Sequence, residues 1–182
     1  MALYHITDDT KEKLSRLIEE RLPWLILGLI GGIIVTVLVS KFEAILSKNI
    51  SLAFFLPVIV YMSDAIGTQT ENIYVRNLAK FRDNFFQYFI KELMVGVVFG
   101  AIFGSLLGAF ANFWLGSVQV ALTVAAAMFI NGIIAPVIAL IVPELLFKEH
   151  TDPALGAGPF TTILQNLISL SVYLLVATLI IF

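Results

Sequence analysis

Long apolar runs recur along the chain at a spacing that suits a bilayer. They cover residues 22–39, a stretch starting near Ile50, then 93–114, 118–146 and 160–182. Each reaches the roughly 20 residues that a crossing helix needs. The pattern predicts an all-α integral membrane protein with five transmembrane helices. A short N-terminal helix is expected before them, over "TDDTKEKLSRLIEER", residues 7–21. Thr7 or Asp9 can cap it, and Asp9 with Glu12 has capping-box spacing. Leu14, Leu17 and Ile18 give it a narrow apolar side, which places it at the cytoplasmic interface. The expected division is therefore a leader helix, 1–21, and a five-span membrane domain, 22–182. In "FRDNFFQYFIKEL", residues 81–93, Phe81, Phe85, Tyr88 and Phe89 share a helical face, as in an interfacial helix entering the third span. Gly96, Gly100, Gly104 and Gly108 recur every four residues, a stripe for close helix packing within the chain or between chains.

Composition strengthens the membrane reading. Of 182 residues, 59% are hydrophobic and 13% charged, against about 25% charged in soluble domains. The absence of cysteine excludes disulfides and thiolate metal sites. His5 and His150 are too few and too far apart to suggest zinc. The first apolar run follows a charged helical segment without a small-residue cleavage site, so a signal peptide is not expected. Basic residues set the orientation. Lys11, Lys13, Arg16 and Arg21 precede the first span; Arg76, Lys80, Arg82 and Lys91 lie between the second and third; Lys148 follows the fourth. Only Lys41 and Lys48 fall on the opposite side. The expected protein is a multi-pass cell-membrane protein with a cytoplasmic N-terminus and an extracytoplasmic C-terminus.

The second span breaks the apolar pattern. "ISLAFFLPVIVYM" runs directly into Ser63, Asp64, Thr68, Gln69, Thr70, Glu71 and Asn72. An ionisable group at mid-membrane costs about 2.5–3.5 kcal/mol on insertion scales, so it needs a partner, water or an ion. Asp64, Thr68 and Glu71 stand at i, i+4 and i+7, on one helical face. Thr162, Asn166 and Ser169 repeat that spacing in the fifth span, with Thr161 and Gln165 beside them. Two oxygen-rich stripes could thus line one aqueous path. Pro57 with Gly67 in the second span, and Pro136 near Asn131 in the fourth, predict helix breaks whose freed carbonyls line a cavity. Helix–helix hydrogen bonding is the competing reading for Asn131 and Asn166. Glu71 is open between a pore role and an interfacial one with Arg76 as its partner. Glu92 is expected at the interface, and Glu144 fits either role. Carboxylate, hydroxyl and amide oxygens suit hard cations such as Mg²⁺ and Ca²⁺, and no soft-ligand cluster suggests another metal.

At these residues the chain resembles the membrane domain of the MgtE-type magnesium transporters. "LPVIVYMSDAIGTQTENIYVRNLA" is similar to that family's second span, keeping Pro57, Gly67, Gln69, Arg76, Leu78 and Ala79 at matching spacing. "KELMVGVVFG" matches the start of the third span through Glu92 and Gly96, and Asn131 and Pro143 fall on a family asparagine and proline. "DPALGAGPFTTILQN" is similar to the run entering the fifth span, through Asp152, Pro153, Ala154, Pro159, Phe160, Thr161 and Thr162. The resemblance covers residues 22–182. It implies a homodimer with a pore at the two-fold axis, lined by the second and fifth spans. It also implies that the large cytoplasmic regulatory domains of bacterial members are absent here. Two departures stand out. Ser63-Asp64-Ala65 replaces the family's Gly-Gly-Asn, and Asn166 falls on its pore aspartate. A carboxylate has moved from the fifth span to the second, so two Asp64 side chains would face each other in the dimer.

The expected function is transmembrane transport of a divalent cation, Mg²⁺ first, with Mn²⁺, Ca²⁺ and Co²⁺ open. The candidate ion-binding set is Asp64, Thr68, Gln69, Glu71, Thr162 and Asn166. The expected partners are the ion, the bilayer and a second copy, with no nucleic acid. The alternatives are a cation-coupled carrier of a small organic solute, or a non-transporting membrane subunit held by the glycine stripe. An enzyme is not expected, since no nucleophile–base pair or phosphate-binding motif occurs.

Overall fold

Asparagine, serine and glycine punctuate the chain where its helices begin and end. In the computed structural model, which describes residues 13–78, 84–149 and 153–181, with side chains from Ala157 in the last segment, all long elements are helical. Helix α1 spans Leu14–Ser40. A six-residue helix, α2 (Glu43–Lys48), follows, and then a 3₁₀ segment, Ile50–Phe55, whose start is capped by Asn49 accepting from the Ser51 N–H. Helix α3, Leu56–Leu78, carries Pro57 as its second residue, where no N–H is needed. The Asn84 side chain accepts from the Phe86 N–H to start α4, Phe85–Leu115, and Gly116 ends it at φ 63°, a left-handed stop. Ser117 accepts from the Val120 N–H to start α5, Val118–Lys148. A two-residue link therefore turns α4 back on α5. Helix α6 spans Pro153–Ile181.

Among the described residues, five helices are long and apolar enough to cross a membrane: α1, the 3₁₀ segment with α3, α4, α5 and α6. At 1.5 Å per residue, the 31 residues of α4 and of α5 reach about 46 Å, beyond the roughly 30 Å hydrocarbon core. Their ends must stand in the interfaces. The aromatic stretch that the sequence predicts as an interfacial helix forms, from Phe85 on, the first turns of α4, continuous with the span. Phe85 and Tyr88 there pack edge-on against Tyr74 of α3. The described part of the N-terminal leader, 14–21, is likewise the start of α1 itself, and Pro23 does not end it. Thr7, Asp9, Glu12, Phe81, Asp152, His5 and His150 lie outside the described residues.

Helix α5 lies at the centre, against α3, α4 and α6, while α1 packs along α6. The core joins Leu52, Phe55 and Ile59 to Val120, Val124 and Met128 of α5 and to Tyr173 and Leu174 of α6. Tyr173 donates to the Leu52 carbonyl at 2.8 Å, tying the 3₁₀ segment to α6. The α4 glycine stripe is an intrachain seam. A methyl group at Gly96, Gly100 or Gly104 would meet the carbonyl oxygen of Gly132, Phe129 or Ala125 at 2.7, 2.5 and 2.7 Å. Glycine is what lets α4 lie on the α5 backbone.

The expected helix breaks do not occur. Helix α3 runs unbroken through Gly67, and α5 runs through Pro136 and Pro143. Proline 136 still removes the N–H that would have bonded to the Gly132 carbonyl. That oxygen lies against Gly96 of α4, in the packed seam rather than in a cavity. Close backbone packing keeps the helix unbroken where local chemistry predicts a break. Gly67 has a different use: a methyl group there would overlap the side-chain amide of Gln165.

Candidate cation path on helices α3 and α6

Asp64 sits in the second turn of α3 beyond Pro57, half-buried, and faces α6. Its Oδ1 accepts from Thr162 Oγ1 at 3.1 Å. Among the described residues no ion pair involves it; its partner is a hydroxyl. A carboxylate held by one neutral donor keeps most of its lone pairs for water or a cation. The sequence-predicted pair from the second and fifth spans is thus brought into contact.

One turn further along α6 stands Asn166. Thr162 and Asn166, with Pro159, form the polar wall of a groove of about 450 Å³. The facing wall comes from α1, through Gly28, Gly31 and Gly32. A methyl group at Gly28 or Gly32 would have nothing within 4 Å, so these glycines leave the groove open. At Gly31 it would meet Ile163 Cγ1 at 2.5 Å, so this glycine brings α1 onto α6. Asn166 Oδ1 has no hydrogen-bond partner among the described residues.

The rest of the predicted set divides. Glu71 is buried on α3, facing the start of α6, where a methyl group at Gly158 would lie 3.8 Å from its Oε1. The Thr161 hydroxyl is buried there too without reaching hydrogen-bond geometry. The alternative pairing with Arg76 is not made, because Arg76 lies on the exposed side of α3 while Glu71 turns inward. Thr68 and Gln69 are exposed. Asp64 and Glu71 thus turn toward α6 while Thr68, between them, turns outward. Ser169 also leaves its stripe and turns toward α5, where its carbonyl accepts from Asn131 Nδ2 at 3.1 Å.

Two other carboxylates have partners. Glu92 accepts from Thr70 Oγ1 at 2.8 Å, joining α4 to α3. Glu144 accepts from Tyr74 OH at 2.8 Å and pairs with Lys148 at 3.0 Å, joining α5 to α3. Sequence reasoning missed the α1 glycines and the inward Gln165. The run "GLIGG" at 28–32 is the signal that could have shown the first. Nothing local marks the second.

A sequence model of a family described as a divalent cation transporter, MgtE, matches residues 56–176, about two thirds of the chain and every residue of the Asp64–Thr162–Asn166 constellation. The chain belongs to the MgtE family. Relatives agree with this. It is 34% identical over 180 residues to the magnesium transporter MgtE of Bacillus subtilis, covering 95% of this chain and 39% of that protein. It is 29% identical over 174 residues to the Enterococcus faecalis protein of the same name, covering 94% and 38%. It is 28% identical over 163 residues to that of Thermus thermophilus, covering 87% and 36%. The chain therefore spans less than two fifths of the length of the curated relatives it matches. With five apolar helices, this MgtE-family chain is a multi-pass membrane protein. Asp64 and Asn166 are linked in space through Thr162, which donates to the one and lines the groove with the other.

Proposed function

We propose that this chain carries a divalent cation, Mg²⁺ first, along a path lined by α3 and α6 at the two-fold axis of a homodimer. The observation that carries the reading is the Asp64–Thr162 contact beside the Asn166 groove, in a chain of the divalent cation transporter family. Mg²⁺ gives up its waters reluctantly and is bound by one or two carboxylates with several waters retained. Asp64, doubled by symmetry, supplies the carboxylates. Thr162, Asn166 and Thr68 supply hydroxyl and amide groups for the ion's waters. Glu71, deeper against α6, adds a second carboxylate along the same wall.

A second copy is supported by the outer side of α3. Thr68, Gln69 and Asn72 are exposed on a membrane helix. Polar side chains at this depth face a bundle interior or a water-filled space, not lipid. Two such faces meeting at an axis enclose that space. The excess of Lys and Arg in the N-terminal segment and in the α3–α4 link supports a cytoplasmic N-terminus.

The test is ion uptake by the purified chain in liposomes carrying a Mg²⁺-sensitive dye. Asp64→Ala abolishes uptake, and Asp64→Asn leaves a small fraction. Unchanged flux in the alanine variant would discard the assignment. Competition by Mn²⁺, Ca²⁺ and Co²⁺ in the same assay orders the ions.

A further inference from the structure

A different face of α6, turned onto α5, encloses something the transport path does not use. A cavity of about 10 Å³ lies among α3, α5 and α6, lined by Ser63, Asn131, Gln165 and Ser169 with Ile134 and Ile168. All four polar side chains are at most 2% exposed. Asn131 spends its Nδ2 on the Ser169 carbonyl, leaving Oδ1 unpaired. Both Gln165 amide atoms, Nε2 and Oε1, are unpaired. The Ser63 hydroxyl donates to the Ile59 carbonyl at 2.7 Å, so what it still offers is a lone pair. Unpaired polar groups at this depth are costly, and native proteins satisfy them.

We propose that this cavity holds one buried water that bridges Asn131 Oδ1 to the Gln165 side-chain amide. Size and chemistry both point to water. The volume matches the ~10–15 Å³ that a single water needs, and polar lining separates such sites from dry apolar voids. The unpaired set contains acceptors and one donor, whichever way the Gln165 amide is turned. Its occupant must therefore accept a hydrogen bond as well as donate one. Water does both, and a bare cation cannot accept from Nε2. Gly67 closes the argument from the α3 side. It leaves room for the Gln165 amide to stand at the cavity wall, where any larger residue would push it inward. The water thus ties α5 to α6 directly behind Asn166. This inference does not depend on which ion, if any, the chain carries.

The test is radiolytic hydroxyl labelling of the full chain in lipid nanodiscs, where a bound water generates the radical in place. Ile138 lines the cavity and is buried, and Leu140, on the same helix, is buried away from it. Labelling of Ile138 several-fold faster than that of Leu140 is expected, falling to the Leu140 level in Asn131→Leu/Gln165→Leu. Equal rates in the wild type overturn the proposal. Should the double variant not fold, a wild-type structure showing ordered water decides. A peak within hydrogen-bond distance of Asn131 Oδ1 and the Gln165 amide supports it. An empty cavity, or a cation ringed by oxygens alone, overturns it.

Discussion

Asp64 shows how much one hydroxyl can settle. A carboxylate within a membrane span needs a donor, and among the described residues Thr162 is the one it has. Thr162→Val keeps the branched shape and removes the hydroxyl. Hydrogen bonds to charged groups contribute about 1.5–3 kcal/mol, and 1.4 kcal/mol is about tenfold in affinity. Thr162→Val is therefore expected to raise the half-saturating Mg²⁺ concentration for uptake by about tenfold or more, with Thr162→Ser close to wild type. Equal behaviour of the valine and serine variants in the liposome assay would show that Asp64 does not rely on this donor. The candidate residues were legible one by one, because an Asp or Glu in an apolar run is conspicuous wherever it faces. Their directions were not. Glu71 turns inward and Thr68 outward though both stand on the predicted stripe, because a few tens of degrees of helix rotation decide which flank of the stripe is covered by α6.

At the scale of elements, glycine decides how closely helices approach. Every member of the α4 stripe is buried against α5, and Gly100 stands where a methyl group would press on the Phe129 carbonyl at 2.5 Å. Gly100→Ala is expected to lower stability by about 1–3 kcal/mol through overpacking, read as a fall in melting temperature in detergent. Gly28→Ala, with nothing within 4 Å, is the control. Its effect stays within the ~0.5–1 kcal/mol that separates Ala from Gly in a helix. A Gly100 variant as stable as the Gly28 variant would mean that the seam can open at no cost. The four-residue period announced a seam, but not its partner. The period is a property of one helix, whereas the partner follows from the two-residue α4–α5 link at Gly116 and Ser117 folding neighbours together.

The whole molecule leaves α1 and the outer side of α3 largely uncovered. In α1 only Gly31 is buried. Apolar exposure there suits lipid, but Thr68, Gln69 and Asn72 do not. The chain has no cysteine, so single-cysteine variants report proximity cleanly. Gln69→Cys is expected to form an oxidised dimer in native membranes, while Val98→Cys, on the exposed face of α4, stays monomeric on the same gel. Equal cross-linking of the two, or none at position 69, would remove the two-fold path along α3.

The number of spans, their membrane character and the chemistry of the candidate site were written in the order of residues. Length, apolarity and the intrusion of Asp64, Thr162 and Asn166 are local properties that survive without a fold. Three-dimensional packing alone decided the rest. It carried α5 straight through two prolines, since the Gly132 oxygen freed by Pro136 rests in a close helix seam. It brought the α1 glycines to the groove and turned Gln165 into the interior against Gly67. These outcomes depend on contacts between residues far apart in the chain, and a linear pattern does not encode which of several similar apolar faces will meet.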